Sequence, residues 1–125
     1  MKLFYFTASG NCLAVAKKLG GELYSIPQVL KKGTFKFEDD QIGIIFPCYV
    51  GSTPTIVEEF LEKVELKSNY VFGIVTYGKT HGGALNHFDE IAKKNGIELS
   101  YVNSLVMVDN SIKFHDMNKQ IRDQH

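Results

Sequence analysis

With 125 residues, 44% of them hydrophobic and 12% aromatic, the chain can bury one core of its own and is too short for two, so residues 1–125 read as a single domain. Fourteen basic and fourteen acidic residues cancel, which removes the global field that nucleic acid, an anionic membrane or a strongly charged partner would answer to. Two cysteines outside any C-x-x-C pair, with no N-terminal signal and no long apolar span, suit a reducing, cytoplasmic setting.

Lys2-Leu3-Phe4-Tyr5-Phe6 has the continuous apolar character of a strand buried on both faces. A small polar loop follows, and then Cys12, Val15, Ala16 and Leu19 form one apolar helical stripe that leaves Lys17 and Lys18 outside. Gly20-Gly21 stops this helix, and Glu22-Leu23-Tyr24-Ser25-Ile26, of mixed polarity, reads as a short strand near a sheet edge. Residues 27–32 hold one or two helical turns, and Phe35 and Phe37 dock a loop onto the core. Ile42-Gly43-Ile44-Ile45-Phe46 is a second two-sided strand, ending at Pro47. Thr53 is placed to cap the next helix, with Pro54 as its first residue. In that helix Ile56, Val57, Phe60, Leu61 and Val64 share a face opposite Glu58, Glu59, Glu62 and Lys63. The third buried strand is Tyr70-Val71-Phe72-Gly73-Ile74-Val75-Thr76, where Gly73 admits the close approach of a helix. The helix after the next loop carries Leu85, Phe88, Ile91 and Ala92 on its inner side and ends at Lys93-Lys94-Asn95-Gly96. Residues 97–108 give a last strand, broken around Asn103-Ser104, and the remaining tail is polar.

Strands alternating with amphipathic helices imply right-handed βαβ units and an open parallel sheet, the doubly wound α/β architecture with helices on both faces. Ligands then bind at the carboxyl ends of the strands, where three polar loops converge. The first, Thr7-Ala8-Ser9-Gly10-Asn11-Cys12, sits where free amides and the positive end of a helix dipole point together. Thr7 and Ser9 add hydroxyl donors, Gly10 allows close backbone approach and Asn11 can cap the helix. G-x-G-x-x-G is absent, so the loop is sized for one phosphate rather than a dinucleotide. The same turn also suits a capped junction that binds nothing. The other two loops each place a tyrosine near a glycine, Tyr49 with Gly51 and Tyr77 with Gly78, as a sandwich for a flat ring requires.

Phe4-Tyr5-Phe6-Thr7-Ala8-Ser9-Gly10-Asn11 followed by a helix resembles the T-x-[ST]-G-N-[ST] phosphate loop of the flavodoxins, which bind FMN. Phe46-Pro47-Cys48-Tyr49, Glu58-Glu59-Phe60-Leu61 and Val75-Thr76-Tyr77-Gly78 resemble the flavodoxin domain that heads certain flavodoxin–ferredoxin fusion proteins. The resemblance implies a flavodoxin-like five-stranded sheet in the order 2-1-3-4-5, and the short tail implies a last helix that is short or missing. By motif position it assigns Thr7, Ala8, Ser9, Gly10, Asn11 and Cys12 to the FMN phosphate. It puts Pro47, Cys48, Tyr49, Val50 and Gly51 on one side of the isoalloxazine, and Thr76, Tyr77, Gly78 and, further along, Gly83 on the other. Cys12 stands where the family has Ser or Thr, and no cysteine motif for an iron–sulfur cluster follows. The implied function is electron transfer through non-covalent FMN, with a ferredoxin-like donor or a reductase as redox partner. No catalytic residues, nucleic acid or membrane are expected. The short tail leaves part of one sheet face open to a second copy, and so to a homodimer.

Other readings stand beside this one. Gly73-Ile74-Val75-Thr76-Tyr77-Gly78-Lys79-Thr80 formally matches the G-x-x-x-x-G-K-[ST] nucleotide loop, although Gly73 reads as strand interior. Cys12 and Cys48 both fall at strand ends on the cleft side, and Cys12 begins a helix, where thiol pKa values tend to fall, although Cys12 also fits the buried stripe of that helix. A flavodoxin-like assembly module that has lost FMN is a further alternative. His81, His87, His115 and His125 show no ligand spacing and read as solvated surface residues, so no metal site is expected.

Overall fold

The computed structural model describes residues 1–7, 11–47, 53–77 and 84–106. The two-sided apolar runs become the strands β1 (Lys2–Tyr5), β4 (Gln41–Pro47) and β6 (Tyr70–Tyr77), joined in one sheet by β2 (Glu22–Ser25) and β7 (Tyr101–Val106). All pairings in this sheet are parallel and the order is β2-β1-β4-β6-β7, which is 2-1-3-4-5 when its own strands are counted. Four helices are described: α1 (Asn11–Leu19), α2 (Ile26–Lys32), α3 (Thr55–Lys63) and α4 (Ala84–Lys94).

Alternate residues of each strand enter separate cores, as the two-residue period of a strand dictates. On one face Leu3, Ile45, Phe72 and Ile74 pack with Cys12, Val15, Ala16 and Leu19 of α1. On the other, Phe4, Ile42, Ile44, Phe46, Val71 and Val75 meet buried residues of α2, α3 and α4. Gly73 has a steric role here. A Cβ at that position would overlap the ring of Phe88, so the missing side chain is what lets α4 dock on β6. Gly20 and Gly96, both at positive φ, reverse the chain after α1 and α4.

Phe37 does dock on the core, edge-on to Phe4 at a ring separation of 4.7 Å, but as part of a strand rather than a loop. That strand, β3 (Lys36–Glu38), pairs in parallel with β5 (Glu65–Lys67), and the exposed pair Lys67–Glu38 spans it at 3.5 Å. The last strand is not broken at Asn103-Ser104. Both residues pair with β6, opposite Ile74 and Val75, and the Asn103 side-chain amide donates to the Tyr101 hydroxyl at 2.8 Å. The expected start of α3 is also corrected. Pro54 is the capping residue, with no side-chain cap, and the Thr53 amide and hydroxyl meet His87 instead. The residues expected to form a short last helix lie outside those described. No described helix is long and apolar enough to cross a membrane.

Candidate functional site at the strand ends

The chain leaves β1 through α1 to β2 and returns through α2 to β4 on the other side of β1, with the two helices on opposite faces. The connections after β1 and β4 therefore part in opposite directions, and the switch point between these strands is where this class of sheet leaves a crevice. The hydrogen bond from Phe6 N–H to the Ile45 carbonyl, 2.9 Å, carries the β1·β4 pairing to this lip. Thr7 stands just beyond it. Pro47 and Thr76 are register partners at the ends of β4 and β6, and Tyr77 closes β6.

α1 begins at Asn11 with no acidic side chain in its first turn and with Lys17 and Lys18 in its last. Its amino end thus keeps its partial positive charge for an anion, whereas α3 carries Glu58 in its first turn. Of the residues assigned by resemblance, Thr7, Asn11, Cys12, Pro47, Thr76 and Tyr77 gather at these strand ends or open α1. Ala8, Ser9, Gly10, Cys48, Tyr49, Val50, Gly51, Gly78 and Gly83 lie outside the described residues. The donor chemistry present, a threonine hydroxyl and the first-turn amides of a helix free of carboxylates, fits a phosphate. A cavity of about 460 Å³ beside the edge strand β2 is lined by Leu23, Tyr24, Val29 and Phe37 among others, and by none of the residues assigned by resemblance.

Thr53 and Thr76 are the buried polar residues among those described, 4% and 3% exposed, and each has a partner. Thr76 Oγ1 lies 3.2 Å from Cys12 Sγ, which ties the end of β6 to the start of α1. Cys12 is a free thiol, 1% exposed. Burial pushes it up to about 11 against the opposing pull of the Thr76 bond, so the activation expected from a helix start is overturned at this residue. Thr53 bonds to His87 of α4: its N–H donates to Nδ1 at 3.0 Å, and its hydroxyl oxygen lies 3.1 Å from the same nitrogen. His87 is therefore half-buried and engaged rather than solvated. Sequence spacing carried no signal for this pair, because its members lie on separate elements.

The nucleotide-loop reading loses its geometry. Gly73 is held inside β6, opposite Ile44 and Val102, and α4 starts at Ala84. A phosphate loop needs that first glycine at the strand end. Among the described residues no group of metal-ligating side chains occurs.

The architecture is the flavodoxin-like fold. A flavoprotein from Lactobacillus acidophilus, solved in complex with FMN, is similar at a TM-score of 0.61 and 18% identity, over 82% of this chain and 91% of that one. The two-electron reduced flavodoxin of Megasphaera elsdenii gives a TM-score of 0.59 at 18% identity, over 83% and 85% of the two chains. A short-chain flavodoxin associated with a bacterial microcompartment matches at 0.63 and 17%, over 98% and 96%. No family model and no curated protein sequence matches the chain.

Proposed function

We propose that the chain binds FMN without a covalent bond at the carboxyl ends of β1, β4 and β6 and serves as an electron carrier. One observation carries this reading: Thr7, just past β1, and the carboxylate-free start of α1 at Asn11 flank the β1/β4 switch point of the sheet. The fold likeness to an FMN complex supports it. Bound FMN would supply reversible one- and two-electron chemistry. The residues of the chain bind and orient. Thr7 and the first amides of α1 hold the phosphate, and the loops that leave Pro47 and Tyr77 enclose the ring and exclude water. A redox protein, a ferredoxin-like donor or a reductase, is the proposed partner.

The absorbance spectrum of the purified protein before and after addition of FMN is the test. A flavin spectrum, or quenching of flavin fluorescence on titration to a saturable end point, is the expected result. Colourless protein that takes up no FMN and binds magnesium-ATP instead would overturn the proposal.

A further inference from the structure

Pro27 sits in the first turn of α2 and Gly33, at φ 76°, ends the helix after seven residues, so the chain returns through Thr34 to β3. There Phe37 meets the Tyr24 ring of the edge strand β2 edge-on, at a centroid distance of 5.3 Å. The space left beside these elements is the cavity of about 460 Å³, inside the range of about 300–1,000 Å³ that small-molecule sites occupy. Its walls are apolar, with Leu23 and Val29 on aliphatic ground and Tyr24 and Phe37 supplying rings. Among its described lining residues Lys32 carries the one charge, and Ser25, Gln28 and Thr34 are neutral. The hollow over β3 and β5 differs, because its Lys36 and Lys67 are answered by Glu65 and Glu38.

Lys32 makes no ion pair with a described residue. The carboxylate of β2, Glu22, is already engaged by Lys2 at 3.4 Å and by the Tyr24 hydroxyl. The backbone of β2 adds a donor. Glu22 N–H donates to the Met1 carbonyl at 2.8 Å, so Glu22 and Tyr24 turn their peptide groups to β1, and Leu23 turns its own to the open edge, where no described strand pairs. Because β2 and β4 both run parallel to β1, α2 runs back against them and brings Lys32 and Thr34 to the end of the cavity where β2 begins. An ammonium, a hydroxyl and an edge amide thus stand at one end of a ring-lined space that holds no carboxylate. We propose that this cavity binds a small aromatic carboxylate, its ring against Tyr24 and Phe37 and its carboxylate at Lys32. A third ring extends the edge-on contact of the first two, and the ammonium meets an anion that has no competitor in the lining. No residue assigned to FMN lines this cavity, so the proposal does not rest on the functional reading above.

The experiment is an NMR titration of the whole chain with cinnamate, and with cinnamamide and cinnamylammonium as neutral and cationic forms of the same ring. Lys32→Met is run beside the original chain. Lys32 is exposed at a helix end, so methionine keeps the apolar stem and removes the charge without disturbing the core. Cinnamate should give saturable shifts of the Leu23, Val29, Thr34 and Phe37 amides and bind more tightly than cinnamamide, with cinnamylammonium weakest. In Lys32→Met the cinnamate affinity should fall about fivefold, the scale of a partly exposed ion pair, while cinnamamide binds as before. No saturable shift of these amides, no preference for the anion, or equal cinnamate affinity in the two proteins would overturn the proposal. Shifts confined to Thr7, Asn11 and Thr76 and abolished by FMN would put the ring in the strand-end crevice and overturn it equally. A chain that takes up no FMN fails the functional reading and leaves this result standing.

Discussion

Replacing Gly73 by alanine tests whether the missing side chain in β6 is what seats α4. A Cβ there overlaps Phe88 Cε2 and comes within 3.1 Å of Cδ2 and Cζ. Phe88 is fully buried and packs edge-on against Phe46, with ring centres 4.8 Å apart, so the ring cannot retreat without displacing a second one. In an open strand the same change would stabilise by about 0.5–1 kcal/mol. Here overpacking costs about 1–3 kcal/mol, which offsets that gain and leaves a net loss of up to about 2.5 kcal/mol. For a domain of this size each 1 kcal/mol lost is a drop of about 4 °C in Tm. Urea unfolding of the original chain, Gly73→Ala, Phe88→Leu and the double variant resolves the cause. Phe88→Leu alone costs about 1–2 kcal/mol, and the double variant should exceed the additive stability by about 1 kcal/mol, because leucine vacates the space the new methyl needs. A Gly73→Ala protein as stable as the original, or strict additivity, would refute the steric account.

Two further predictions concern protons. Because burial holds the Cys12 thiol at about 11 against an ordinary 9.0, the unfolded chain loses this proton first, and stability falls as pH rises from about 9 to about 11. The loss is about 2–3 kcal/mol, and it should vanish in Cys12→Ser when denaturation midpoints of the two proteins are compared across that range. In the acid range, Asp39 receives the N-terminal ammonium at 3.1 Å and the Asp40 N–H at 2.7 Å, and these bonds hold its carboxyl below the usual range. A depressed carboxylate contributes stability above its unfolded value and loses it as pH falls through the folded one. Asp39→Asn should therefore flatten the acid limb of the stability profile, read by thermal melts between pH 5 and pH 2.

The fold was legible where its signal is local and repeated. Two-sided apolar runs in β1, β4 and β6 demand cover on both faces, and the helical stripes of α1, α3 and α4 supply it. The β3·β5 pair was not legible, since each three-residue strand offers one apolar residue between charged ones, and their partnership is a long-range parallel contact. The supposed break in the last strand followed from the turn preference of Asn and Ser, and the ladder to β6 overrules it. Thr53 shows the same conflict at the site. Threonine before proline satisfies the rules for a helix cap, yet its hydroxyl and amide both face a histidine 34 residues away, beyond any local pattern.

Cys12 is where sequence and structure together sharpen the site. As a helical-stripe residue and as a member of the phosphate loop it had two readings, and its side chain answers the first by packing into the core against Thr76. In the proposed site, position 12 can then serve an anion only through its backbone N–H, which in the first turn of α1 has no partner within the helix. Two substitutions separate these roles. Cys12→Ala removes the thiol and keeps the amide, so FMN affinity should stay within about twofold, well under the worth of one hydrogen bond. Cys12→Pro removes the amide as well, at a position where the first helical turn tolerates proline. Relative to Cys12→Ala it should weaken FMN by about tenfold to a hundredfold, the scale of a hydrogen bond to a charged group. Stability curves for both variants separate loss of fold from loss of affinity. Equal affinities for the alanine and proline proteins, both folded, would show that the phosphate does not lie at this amide.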